Sequence, residues 1–113
     1  MDQSTVLLFT RNGMGEGPED LQQILISKFL SINLEHDMLP AKMLFYTDGV
    51  KLACQGSTVI SQLKQYDERG VELVLCSTCL EKYDLAGKVE VGVVGGMGDI
   101  IDTLSKAPKV ISL

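Results

Sequence analysis

The chain has 113 residues, 45% of them hydrophobic and 22% charged, with a formal net charge of −5. A single domain of this size builds a core without metal or disulfide staples, and its ten scattered basic residues do not supply the clustered Lys and Arg that nucleic-acid phosphates require. No apolar run approaches the roughly 20 residues that cross a bilayer, so a transmembrane helix is excluded, and neither nucleic acid nor membrane is expected as a partner.

Ser4 to Thr10 is apolar and β-branched and predicts a first strand. The glycine-rich loop Arg11 to Gly17 follows, then Pro18 at the first helical position, with Glu19 and Asp20 in the first turn, where acidic groups suit the helix dipole. The helix is predicted from about Pro18 to Leu34. Leu21, Ile24, Leu25, Phe29 and Ile32 share one face and are expected to pack on a sheet. Ile26, Leu30 and Leu34 lie roughly opposite, where a simple surface helix is polar. That second stripe is expected to be buried against another subunit.

Met43 to Thr47 predicts the second strand, and Asp48-Gly49-Val50 a turn into a linker containing Cys54. Ser57 is the expected N-cap of a second helix with Val59, Ile60, Leu63 and Tyr66 inward, and Gly70 stops it from the C′ position. Val71 to Leu75 is the third strand and runs straight into Cys76-Ser77-Thr78-Cys79. Leu80 to Tyr83 reads as a short helix, and Val89 to Val94 as a glycine-interrupted strand or extended loop. Gly95 to Gly98 connects to a last helix through Leu104, Pro108 breaks it, and Val110 to Leu113 is a final strand. Alternating strands and helices imply a parallel sheet covered on both faces. Ligands gather at the carboxyl ends of such strands, where the loops Arg11 to Gly17, Asp48 to Gly56 and Cys76 to Cys79 converge.

The Cys-x-x-Cys element carries the strongest chemical signal. A helix start offers free N–H groups and partial positive charge, so the pKa of both Cys76 and Cys79 is expected to be depressed, and the residues alone do not rank the two. The bland alternative is two small buried hydrophobes. Three cysteines, an odd number, suit a reducing compartment better than a disulfide framework. Val6 to Phe9 is too short for a signal core, and a cytoplasmic location is expected. Cys54, Cys76, Cys79 and His36 sum to a zinc-like set, but structural zinc draws on two close pairs and His36 has none. No metal is expected. Gly13-x-Gly15-x-Gly17 fails the dinucleotide fingerprint because Pro18 stands where the last glycine belongs, and no Gly-Lys-Ser/Thr is present. No cofactor is expected. Asp48 either orients a partner in the site or caps its turn, and no Ser–His–acid set supports a hydrolase.

Several motifs recur together in order: Gly15-x-Gly17, Asp48-Gly49-Val50-Lys51-Leu52, Gly70-Val71-Glu72 into Cys76-x-Thr78-Cys79-Leu80, and Lys109-Val110-Ile111-Ser112-Leu113. The set resembles the DsrE-like domain of YedF-type proteins, within the DsrE/DsrF/DsrH sulfur-relay family, over nearly the whole chain. The resemblance implies a single domain, residues 1–113, with a three-layer α/β/α Rossmann-like fold and a five-stranded, mostly parallel sheet. It implies a sulfurtransferase-like role in which Cys76, after the third strand, accepts sulfane sulfur as a persulfide. Cys79 is then an accessory cysteine, with Asp48, Gly49, Gly15, Gly17 and Thr78 around the substrate. It further implies a homo-oligomer, trimeric or hexameric, and a link to selenium metabolism. YedF-type proteins usually carry a TusA-like sulfur-carrier domain ahead of this one, so that carrier is expected as a separate partner, or the chain is a stand-alone paralogue. Cys54 departs from the family pattern. The competing readings are a non-catalytic binding or assembly module and, below it, a thiol–disulfide oxidoreductase, which lacks the surroundings of a thioredoxin-type motif.

Overall fold

The chain's most apolar runs become the middle of one sheet. In the computed structural model, which describes residues 1–113, β1 (Thr5–Phe9), β2 (Lys42–Phe45) and β3 (Glu72–Cys76) lie side by side. β4 (Val93–Gly95) adds beside β3 and β5 (Lys109–Ser112) beside β1, giving the order β4-β3-β2-β1-β5. Every pairing is parallel, so the sheet expected to be mostly parallel is wholly so. Near-continuous burial along β1, β2 and β3 is what a sheet covered on both faces demands.

Four α-helices and one 3-10 helix connect the strands: α1 (Glu19–Glu35), the 3-10 helix (Thr47–Ala53), α2 (Ile60–Glu68), α3 (Ser77–Lys82) and α4 (Met97–Lys106). From β1 to β4 the chain steps each time to the next strand in one direction, then returns across the sheet to β5. Right-handed crossovers therefore put α1, α2 and α3 on one face and α4 on the other. Three helices end in the same way. Asp37, Gly70 and Asp84 take positive φ, and Met38, Val71 and Leu85 then donate back to the carbonyls of Asn33, Tyr66 and Leu80, as in a Schellman closure.

The structure reverses the expected phase of α1. Ile26, Leu30 and Leu34 are buried, whereas Leu21, Ile24, Leu25 and Ile32 are exposed at 40–50%. Phe29 sits between the two, packed at the edge of the core. The inward stripe is fixed by α2: the Tyr66 hydroxyl, fully buried, donates to the Leu30 carbonyl at 2.7 Å. Lys28 explains why the other stripe faces water. It lies four residues after Ile24 and four before Ile32, on the same side of the helix, and is exposed.

Smaller corrections follow from backbone geometry. Pro18 pairs a helical φ of −56° with an extended ψ of 144°, so it precedes the helix instead of beginning it. The turn expected at Asp48 is the first part of a seven-residue 3-10 helix. Gly49 is buried in it, and a Cβ there would lie 2.0 Å from the Phe9 carbonyl oxygen. Only glycine lets this helix rest on the end of β1. The stretch expected over Val89 to Val94 as a strand or extended loop is strand only over Val93–Gly95; Gly92 turns at φ 93°, and Val89 bridges antiparallel to Cys54.

Candidate functional site

The carboxyl ends of β1, β2 and β3 deliver three segments to one place: the loop after β1, the 3-10 helix, and the turn from Cys76 into α3. Cys76 is the last residue of β3, still extended at φ −64° and ψ 120°, and directly precedes the first residue of α3. Cys79 falls in the first turn of that helix. All three cysteines are free thiols, but they differ in access. Cys76 is 1% exposed and Cys54 is likewise buried, whereas Cys79 is partly exposed.

Cys79 is the better-defined group. The backbone N–H of Thr47 donates to its Sγ at 3.0 Å, and the Cys76 thiol is its neighbour and influences its titration. The expected depression of its pKa is not what these surroundings produce. Burial pushes the thiol up, and contact with Cys76 adds to the rise, while the Thr47 N–H opposes both. α3 is only six residues long, a short stack of peptide dipoles to set against desolvation. Cys54 is raised too, chiefly by burial.

Two side chains that the sequence reading did not place in the site, Lys51 and Tyr83, join Asp48 near Cys79. Lys51 Nζ lies 2.9 Å from Asp48 Oδ1 and 4.4 Å from the centre of the Tyr83 ring. Tyr83 is one helical turn beyond Cys79 and donates its backbone N–H to the Cys79 carbonyl. Lys51 holds the Asp48 carboxyl below its ordinary value, with a smaller contribution from the Tyr83 hydroxyl. The spacing signals were present: Lys51 follows Asp48 by three residues and Tyr83 follows Cys79 by four, both same-face spacings on a helix.

Lys51 and Tyr83 open onto a cleft of about 430 Å³, lined also by Asn12, Gln23, Gln55 and Thr58. An adjoining hollow of about 220 Å³ shares Asn12, Gln23 and Lys51 and adds Arg11, Glu19 and Asp48. Gln23 braces the wall: its amide donates to the Asn12 carbonyl at 2.5 Å and accepts from the Thr58 hydroxyl at 2.7 Å.

Of the residues expected around a substrate, Asp48 lines the adjoining hollow and Gly49 is an internal support for the 3-10 helix. Gly15, Gly17 and Thr78 are exposed and line neither hollow. The Gly15 carbonyl instead accepts from Arg11 at 2.8 Å, which folds the loop on itself. Gly13 is the loop's demanding position, because a Cβ there would lie 2.6 Å from that of Gln22. Cys54, Cys76, Cys79 and His36 do not gather: no three His, Cys, Asp or Glu side chains converge on a point able to hold a metal ion. No helix is long and apolar enough to cross a membrane.

Residues 12–113 match the DsrE/DsrF-like family. No curated relative matches the sequence. Among solved structures, the fold is similar to MTH1491 of Methanobacterium thermoautotrophicum, a protein of unknown function, at TM-score 0.69 and 19% identity, covering 96% of this chain and 97% of that one. It is similar to the ychN protein of E. coli at TM-score 0.69 and 17% identity, with both chains wholly covered. A conserved protein of unknown function from Bacteroides thetaiotaomicron, BT1422, gives 0.65 and 14%, covering 97% and 95%. At these identities the likeness concerns the fold.

Proposed function

The chain belongs to the DsrE/DsrF-like family, and on that footing we propose that it is a sulfur-relay protein carrying sulfane sulfur as a persulfide on its Cys-x-x-Cys turn. The observation that carries this reading is the thiol pair at the sheet's carboxyl edge, with Cys79 partly exposed and held by the Thr47 N–H and Cys76 buried beside it. Access favours Cys79, rather than Cys76, as the thiol that meets the donor, because sulfur-to-sulfur attack needs an open approach.

In the loading step the Cys79 thiolate attacks the outer sulfur of a donor persulfide. A new S–S bond forms on Cys79, the donor's own S–S bond breaks, and the donor leaves as a thiolate. An acceptor thiolate reverses these events, so the relay is redox-neutral overall. Cys76 has two uses beside it: donating a hydrogen bond to the Cys79 sulfur, or attacking that sulfur to form a Cys76–Cys79 disulfide and expel hydrosulfide. The motif Cys76-x-Thr78-Cys79-Leu80 supports the YedF-type assignment, and with it a TusA-like carrier as partner and the link to selenium metabolism. The test is incubation of the reduced protein with inorganic polysulfide, followed by intact mass spectrometry. A gain of one sulfur atom, reversed by dithiothreitol, is expected; no gain by folded, reduced protein overturns the reading.

The second reading is a non-catalytic assembly module, favoured by the apolar outer stripe of α1. An exposed stripe of Leu21, Ile24, Leu25 and Ile32 is the kind of surface that marks an interface. The same stripe supports a homo-oligomer, trimeric or hexameric, under either reading.

A further inference from the structure

We propose that the cleft beside Cys79 binds a small zwitterionic, amide-bearing thiol of the amino-acid or short-peptide class and presents its persulfide to Cys79. This rests on the sulfur-relay reading above and adds the class of donor.

Size gives the first argument. At about 430 Å³ the cleft falls within the range of small-molecule sites and is too small to seat a protein surface. The lining gives the second. Asn12, Gln23 and Gln55 supply amides, and Ser57 and Thr58 supply hydroxyls, a set that pairs with peptide groups and not with hydrocarbon. Charge gives the third. Lys51 and Asp48 stand 2.9 Å apart with their side chains 41% and 50% exposed, so a cation and an anion face solvent together, as the carboxylate and ammonium of an amino acid require. In the adjoining hollow Arg11 and Lys51 are balanced by Glu19 and Asp48, which disfavours a polyanion such as a nucleotide phosphate.

Position supplies the link to chemistry. Tyr83, in the cleft wall, is one turn from Cys79 on α3, and Asp48 follows Thr47, whose N–H contacts the Cys79 sulfur. Cys79 lines neither hollow, so a ligand anchored at Lys51 and Asp48 reaches the thiol along the wall formed by Tyr83 and the Thr47–Asp48 segment. Transfer is balanced as before: the Cys79 thiolate takes the outer sulfur, and the small thiol leaves as its thiolate.

The experiment compares two donors on the full chain: glutathione persulfide, which the cleft is to recognise, and inorganic polysulfide, which needs no cleft. Loading of Cys79 is followed by mass spectrometry. The expected result is that glutathione persulfide loading saturates with concentration, and that Lys51→Ala lowers its rate relative to polysulfide by about tenfold, the worth of a charge-assisted hydrogen bond. Gln55→Ala serves as a second, exposed variant and is expected to shift the ratio in the same direction. If both donors load without saturation, or neither variant moves the ratio, the cleft proposal is overturned and the sulfur-relay reading stands. If neither donor loads the folded protein, both fall.

Discussion

Thr47 points its backbone N–H at the Cys79 sulfur from 3.0 Å away while holding φ at 48°, a left-handed conformation that β-branched residues rarely adopt. Its hydroxyl lies 2.7 Å from the Thr10 carbonyl, which ties the end of β1 to the 3-10 helix. Strain of this kind, on the order of 1–3 kcal/mol, persists where surrounding contacts over-determine it and clusters at functional sites. Here it aims the larger of the two backbone influences that favour the Cys79 thiolate against burial and the Cys76 thiol.

Removing Cys76 isolates that balance. Cys76→Ala deletes the neighbouring thiol, which raises the Cys79 pKa, and leaves the Thr47 N–H in place. The pH profile of iodoacetamide alkylation at Cys79 is expected to shift to lower pH, with faster labelling near neutrality. In the unmodified protein Cys79 labels before Cys54 and Cys76, which react only on unfolding. Peptide mapping checks the order.

Glycine substitutions separate support from site. Gly49→Ala places a carbon 2.0 Å from the Phe9 carbonyl oxygen and is expected to cost about 3 kcal/mol or more by forced overpacking. Gly15→Ala meets open space and faces only its φ of 78°, for a loss of about 1 kcal/mol. Denaturant melts of the two variants give the comparison.

Alkaline stability rests in part on Tyr66. Its burial raises the folded pKa above the ordinary 10.0, so the neutral phenol's contribution is complete below that pH and is lost as pH rises beyond it. Cys54 and Cys79, raised above 9.0, begin the same loss earlier. Tyr66→Phe removes the bond to Leu30 at about 1 kcal/mol near neutrality, and melts above pH 10 are expected to fall less steeply than those of the parent.

The outer stripe of α1 is tested by charge. Ile24→Glu with Ile32→Glu alters two residues that are about half exposed in the single chain, so its folding changes little, within about 0.5 kcal/mol per site. Light scattering is expected to show an oligomer for the parent and a monomer for the variant. A monomeric parent removes the assembly proposal.

The three central strands and the last one were legible because β-branched apolar runs such as Thr5–Phe9 leave little choice, and the βα alternation then dictates a parallel sheet; β4 was not, because Gly92 and Gly95 break its pattern. The phase of α1 was not, because both of its sides are apolar and helical spacing locates stripes without ranking them. Lys28, inside the stripe assigned to the sheet, was the contrary signal. The place of the site was readable from Cys76-Ser77-Thr78-Cys79 at a strand end. Its depth was not: which thiol is covered depends on the 3-10 helix, whose Thr-Asp-Gly start reads as a turn until the Phe9 carbonyl beneath Gly49 is seen. Lys51 and Tyr83 escaped notice because charged and aromatic surface residues become a cleft only when two segments meet.

In the proposed relay, sulfur enters at Cys79. The most direct measurement is site-resolved mass spectrometry after polysulfide treatment of the parent, Cys79→Ser and Cys76→Ser proteins, with trapping of persulfides by alkylation. The account predicts the added sulfur on Cys79 in the parent and in Cys76→Ser, and none in Cys79→Ser. Added sulfur on Cys76 in folded Cys79→Ser, at the parent's rate, would contradict it.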